Sequence, residues 1–399
     1  MELAAIALFL VAGLASLFMA WVIGAGSSGA TPFAPAVGAN AIPTMQAAFI
    51  VGLLGFAGAI TQGANVSATV GGGLIGGVEI PAVGVIVILL VGAGLMAVGI
   101  RTGYPIATAF TVTGAVVGVG LAIGGAPAWA TYQQIGAVWV LTPIVGGGIA
   151  YGIASVLPRP DAPETVTVPV LAAVVGVVLA NVEFAFLGPG GTMGSLTGAV
   201  GRQLGSGGVV TTAGVSVAVA VVIAALVRWD ISRDEAGGLR HVLLVLGSLV
   251  AFSAGGSQVG LAVGPLLPLF ATVGALSPAV ILAGGGIGIL AGSWLGAPRM
   301  IKSLAQDYSD LGPRRSIAAL VPAFLIAQVA VLLGVPVSFN EIIVSGIVGG
   351  GAAVGGGSAV DPRKLLVTVG AWAGSLGLSF VVGYGVMAGL QVASSTPLA

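Results

Sequence analysis

Hydrophobic residues in this chain form long uninterrupted runs, not the alternating or amphipathic patterns of a soluble fold. No Asp, Glu, Lys or Arg occurs in residues 3–78, 102–158, 242–298 or 365–399. A membrane-crossing helix needs about 20 apolar residues, so the longest of these tracts must hold more than one crossing. The runs predict membrane elements at 3–23, 46–61, 81–100, 109–123, 134–157, 166–187, 209–227, 278–295, 317–333 and 365–390, with further ones leading out of 243–251 and up to 354. The expected fold is an all-α polytopic membrane protein with about 10–12 membrane elements.

Polar patches interrupt these runs without adding charge. Residues 24–43 (GAGSSGATPFAPAVGANAIP) contain Pro32, Pro35 and Pro43 and cannot form one regular helix. Residues 252–266 (FSAGGSQVGLAVGPL) carry Ser253, Ser257 and Gln258 among glycines. Polar backbone at membrane depth is tolerated only where protein buries it or water reaches it, so both stretches are expected to be re-entrant or broken. Gly103-Tyr104-Pro105 and Gly334-Val335-Pro336 break two further runs, each just ahead of an apolar segment. A helix starting after such a break presents free N–H groups and partial positive charge, which suits an anion.

The interruptions come in pairs. Ser27-Ser28 and Ser257-Gln258 are offset by 230 residues, and the two Gly-x-Pro breaks by 231. Matched glycine- and proline-broken segments in two halves point to a secondary-transporter site. The predicted organisation is a first repeat at 1–157, connecting spans and a cytoplasmic loop at 158–240, and a second repeat at 241–399. The candidate hinges are Gly26, Gly103, Pro105, Gly255, Gly256, Gly334 and Pro336.

Composition narrows the function. The chain is 57% hydrophobic and 6% charged, with mean hydropathy +1.15. Its formal net charge is zero, which gives nucleic acid nothing to bind. It has no cysteine, which removes disulfides, thiol catalysis and cysteine metal sites. The apolar start lacks the basic region of a cleaved leader and reads as a first span. Most of the 69 glycines are expected to serve close helix packing. Basic residues gather at 228–240 and 299–315, which are expected to be cytoplasmic. His241 reads as a solvated residue, and 302–315, with Lys302, Asp307, Asp310, Arg314 and Arg315, as an amphipathic surface helix. There is no nucleophile–base pair, metal-ligand cluster or phosphate loop, so an enzyme is not expected.

At these residues the chain resembles the PiT family of inorganic phosphate transporters. Residues 252–266 are similar to that family's FSHGANDVANAVGPL, and AGSSGATPFAPAVG at 25–38 is a weaker first copy. The family's PVSTTH signature looks like PIATAF at 105–110 and PVSFNE at 336–341. The resemblance implies two inverted repeats, re-entrant hairpins, a central site for an oxyanion and sodium, a multi-pass location in the plasma membrane of a prokaryotic cell, and a homodimer. The departures bear on chemistry. The family's Asn-Asp pair is Ser27-Ser28 in one copy and Ser257-Gln258 in the other, and its second Asn is Thr31 and Leu261. The carboxylate that members carry elsewhere falls near Ala68 and Lys302. The carboxylates expected to hold cations are therefore missing.

What remains suits an anion. Ser27, Ser28, Thr31, Thr108, Ser257, Gln258 and Ser338 can all donate hydrogen bonds. Glu341 stands where the family has His, and an intramembrane carboxyl is a candidate for carrying a proton or coupling ion. The expected function is a permease for an inorganic oxyanion, phosphate first, with altered or lost sodium coupling. Sodium or a proton is the candidate coupling ion. Two alternatives stay open: a permease for sulfate or a related anion, and a relative that binds without transporting.

Overall fold

The computed structural model describes residues 3–189, 192–271, 276–306, 308, 311–355 and 360–394. Almost all are helical, because a helix satisfies its own backbone where no water is available. The chain opens with α1 (Leu3–Gly26), α2 (Ala34–Gly38), α3 (Thr44–Gln62) and α4 (Ala64–Gly72). After the two-residue strand β1 (Ile75–Gly76) come α5 (Ala82–Thr102), α6 (Thr108–Ala122), β2 (Ala126–Pro127) and α7 (Trp129–Val156). A middle section holds α8 (Glu164–Asn181), the pair β3 (Glu183–Phe184) and β4 (Gly194–Ser195), α9 (Leu196–Gln203) and α10 (Val209–Arg233). Then follow α11 (Glu235–Val263), α12 (Leu266–Ala271), α13 (Pro278–Leu295), α14 (Ala297–Gln306), α15 (Pro313–Leu333), α16 (Phe339–Gly355) and α17 (Pro362–Ser394). Among the described residues, 10 helices are long and apolar enough to cross a membrane, and α6 and α16 are shorter apolar helices. This multi-pass architecture matches the expected number of membrane elements.

The order of long and short helices in α1–α7 recurs in α11–α17. α5 and α15 are both 21 residues long, and each ends on a left-handed glycine, Gly103 at φ +78° and Gly334 at φ +64°. Only glycine takes that conformation without strain. Pro105 and Pro336 then hold the next few residues extended until α6 and α16 begin. Packing repeats as well. α1 lies on α13 while α3 lies on α11, and α6 lies on α17 while α16 lies on α7. Each contact pairs an element from one part of the chain with an element from the other.

Glycine makes these contacts possible. A Cβ at Gly255 would stand 1.9 Å from the Gly55 carbonyl oxygen, and one at Gly292 would stand 2.0 Å from that of Trp21. These backbones touch, as small-residue helix packing in a membrane requires.

Two expectations need correction. Residues 252–263 are not broken: α11 runs through Ser253, Gly255, Gly256, Ser257 and Gln258 to Val263. Gly255 and Gly256 bring α11 against Gly55 and Gln62 of α3 without interrupting the helix. The first copy does break, with α1 ending at Gly26 and turns leading to α2. The expected polar loop at 228–240 is nearly absent, since α10 reaches Arg233 and α11 starts at Glu235. His241 is exposed there, its Nδ1 2.8 Å from Asp230. α14 carries an exposed Lys302 as expected, while Asp307 and Asp310 lie outside the described residues.

Candidate functional site

Every candidate anion-binding or coupling side chain named above is deeply buried. Ser27, Ser28, Thr31, Thr108, Ser257, Gln258 and Ser338 have no exposure, and Glu341 is 2% exposed. The extended segments at 104–107 and 335–338 explain part of this. The carbonyls of Pro105, Ile106, Pro336 and Val337 have no helical partner, and an unpaired carbonyl at this depth costs free energy. Side chains fill the gap. Trp372 Nε1 donates to Pro105 O at 2.7 Å, and Asn340 Nδ2 to Ile106 O at 2.7 Å. On the other segment, Trp139 Nε1 donates to Pro336 O at 2.8 Å and Gln258 Nε2 to Val337 O at 2.6 Å. The two breaks are thus held in the same way at equivalent atoms.

Gln258 is the centre of this arrangement. While its amide N–H serves Val337, its Oε1 accepts from Ser27 Oγ at 3.1 Å. The Val337 carbonyl requires a donor, so the amide orientation is fixed chemically. Asn340 adds a second bridge by donating to Gly26 O at 3.1 Å. Gly26, Ser27, Gln258, Val337 and Asn340 therefore tie the end of α1, the C-terminal part of α11 and the start of α16 together.

The other predicted residues satisfy themselves locally or remain open. Ser28 Oγ donates to Ile23 O at 3.4 Å and Thr31 Oγ1 to Ser27 O at 3.1 Å. Thr108, in the first turn of α6, points its hydroxyl at Met96 Sδ, 3.5 Å away. Ser338 Oγ accepts from the Glu341 N–H at 3.5 Å. Ser257 Oγ, Asn340 Oδ1 and Glu341 Oε2 are buried with no hydrogen-bond partner. An unpartnered buried polar atom is costly, and these three lie on neighbouring stretches. The first N–H groups of α6 and α16 have no intrahelical acceptor and suit an anion. Among the described residues no group of three His, Asp or Glu could hold a metal ion. Glu341 is the one carboxylate in the cluster, so a cation would rely on neutral oxygens beside it.

Sequence reasoning did not single out Asn340, Trp139 or Trp372. Asn340 lies inside the PVSFNE block, one residue before Glu341. The two tryptophans are 233 residues apart, close to the repeat offset, and that spacing is the signal that could have found them.

The sequence matches the pattern of the phosphate transporter family over residues 8–383. It is 28% identical over 363 residues to a Thermococcus kodakarensis protein assigned by name as a phosphate permease, covering 84% of this chain and 86% of that one. It is 27% identical over 395 residues to the chloroplastic inorganic phosphate transporter 2-1 of Arabidopsis thaliana, covering 85% of this chain and 65% of that one. A solved structure titled the sodium-dependent phosphate transporter superposes with a TM-score of 0.81 at 22% identity, covering 97% of this chain and 99% of that one. At that identity the likeness is one of fold.

Proposed function

The chain belongs to the phosphate transporter family, and from that premise we propose that it is a phosphate permease of the plasma membrane whose coupling to sodium is altered or lost. The observation that supports this reading is the pair of hydrogen bonds at Gln258, which accepts from Ser27 and donates to Val337. A carboxylate at this position could only accept hydrogen bonds. The carbonyl of Val337 and the carboxylate would then face each other as two acceptors and need a cation or a water between them. The Gln258 amide supplies the missing N–H itself and leaves the cation no task. Removing the carboxylate also removes repulsion against an incoming anion.

Phosphate would bind where hydroxyls and helix N-termini converge, at Ser257, Thr108, Ser338 and the openings of α6 and α16. Glu341 is the candidate for proton coupling, since no other carboxyl stands in the cluster. We place α1–α7 and α11–α17 as two repeats of inverted orientation around this centre. The deciding experiment is radiolabelled phosphate uptake into proteoliposomes under a sodium gradient, a proton gradient or neither, with sulfate as competitor. Uptake driven by protons, indifferent to sodium and lost in Glu341→Gln is the expected result. Strict sodium dependence would reject the altered coupling, and preferential competition by sulfate would reject phosphate as the substrate.

A further inference from the structure

Away from the central cluster, α8, α10, α11 and α15 bring their ends to one face of the membrane. Glu164, the first residue of α8, accepts a hydrogen bond from Arg314 at the start of α15, and α10 passes into α11 through Asp234 alone. A cavity of about 370 Å³ runs inward from that face between the four helices. α8 lines it with Val168, Leu171, Val175 and Leu179, and α11 with His241, Val245 and Leu249. Steps of three and four residues put each set on a single stripe of its helix. Val168 to Leu179 spans about 16 Å at 1.5 Å per residue, roughly half of a hydrocarbon core about 30 Å thick. The cavity is therefore one leaflet deep.

Its mouth is polar. Trp229, Asp230 and His241 line the end nearest the helix termini, where tryptophan marks a membrane–water boundary. His241 Nδ1 stands 2.8 Å from Asp230 Oδ2. An ionised carboxylate can only accept, so the proton is on Nδ1, and in the neutral ring Nε2 is then an acceptor. The His241 side chain is 62% exposed and that of Asp230 33%, so both offer acceptors at the mouth. The Arg233 guanidinium lies 3.8 Å from the centroid of the Trp229 ring and sets a cation beside them. Residues 228–241 hold three Arg and three acidic residues, so the rim as a whole favours neither a net anion nor a net cation.

Leu226, Trp229 and Val245 in the lining are exposed, so the cavity opens sideways to the bilayer and a membrane lipid is the molecule that meets it. A lipid tail gains little by leaving other tails for an apolar groove, because both are equally apolar. Selection must then come from the headgroup. We propose that the cavity holds one acyl chain of a phospholipid whose headgroup carries a primary amine, as in phosphatidylethanolamine, with the ammonium on Asp230 and His241 and the phosphate on Arg233. An ammonium brings three donors to these acceptors, and a guanidinium pairs with phosphate through charged hydrogen bonds. A choline headgroup has the charge but no N–H to donate. A glycerol headgroup leaves a net negative charge against Asp230. The bound lipid ties α8 and α10 to α11 and α15.

The test titrates the purified full-length protein in detergent with phosphatidylethanolamine, phosphatidylcholine or phosphatidylglycerol of identical tails, and counts bound lipid by mass spectrometry of the intact protein. Phosphatidylethanolamine is expected to bind about tenfold more tightly than the other two, on the scale of one hydrogen bond to a charged group. Asp230→Asn should erase that margin while lipid still binds. Ala172→Trp on the α8 wall or, separately, Val245→Trp on the α11 wall should fill the cavity and remove the tightest-bound lipid. Equal binding of the three headgroups by the unaltered protein overturns the proposal. So does tighter binding of phosphatidylglycerol, an unchanged margin in Asp230→Asn, or full affinity for phosphatidylethanolamine in both Trp variants. The comparison of headgroups needs no variant, so a misfolded one does not spare the proposal. A dimer that shows no headgroup preference and separates into monomers in Val245→Trp would give the groove to a second copy of this chain and overturn the lipid reading.

Discussion

At position 258 one atom decides the chemistry. Glutamine and aspartate differ in whether the side chain can donate, and here the donor is used on the Val337 carbonyl at 2.6 Å. The expected outcome for Gln258→Asp is a protein that is less stable without sodium, because a buried carboxylate then faces that carbonyl unpaired. Sodium should restore stability, since a ligand that binds only the folded state raises its melting temperature with concentration. The check is a thermal melt of the purified variant with sodium or with choline in its place. A melt that ignores sodium in Gln258→Asp would show that the amide does not stand in for a cation. The sequence made the loss of the carboxylate legible. It did not show what the amide bonds, because Val337 lies 79 positions away along the chain and its free carbonyl exists only once the extended segment forms.

At the scale of helices, glycine has two separate jobs, and composition alone does not distinguish them. Gly103 and Gly334 take positive φ and end α5 and α15, while Gly255 sits in a regular helix and lets α11 touch α3. That is why the Gly-x-Pro breaks were readable from sequence and the continuity of α11 was not. Glycine followed by proline specifies a stop, whereas glycine inside an apolar run fits either unwinding or close packing. Gly255→Ala should therefore be severely destabilising, since its Cβ would stand 1.9 Å from the Gly55 carbonyl oxygen, a rigid neighbour. Gly370→Ala, in α17, meets nothing within 4 Å and should be neutral or stabilising by about 0.5–1 kcal/mol, the usual gain of alanine over glycine in a helix. Melting temperatures of the two variants in one detergent would test the contrast. Equal behaviour would mean that the α3–α11 contact is looser than the backbone distances state.

For the whole molecule, the remaining question is the relative orientation of α1–α7 and α11–α17, and the crossings can be counted. β1, just before α5, pairs with β2, just after α6, through Ile75 with Pro127 and Gly76 with Ala126. The outward leg α5 and its return therefore begin and end on one side of the membrane. The return is long enough: α6 has 15 residues, about 22 Å at 1.5 Å per residue, and the extended residues before it add roughly 3.3 Å each. α4, with 9 residues, is too short to cross. Before α11, net crossings then come from α1, α3, α7, α8 and α10, an odd number, so α11 enters from the side opposite to α1. Equivalent positions in the two sets should face opposite compartments. Glu79, just before α5, and Gly312, just before α15, are such a pair, and neither substitution is crowded: Glu79 is exposed, and Gly312 has nothing within 4 Å and a negative φ of −113°. Glu79→Cys and Gly312→Cys, each the only thiol in its chain, should be labelled by an impermeant reagent from opposite faces of oriented vesicles. Labelling of both from the same face would make the repeats parallel. The central cluster would then be formed by two like-oriented copies, and the inverted placement of α1–α7 and α11–α17 around it would fall.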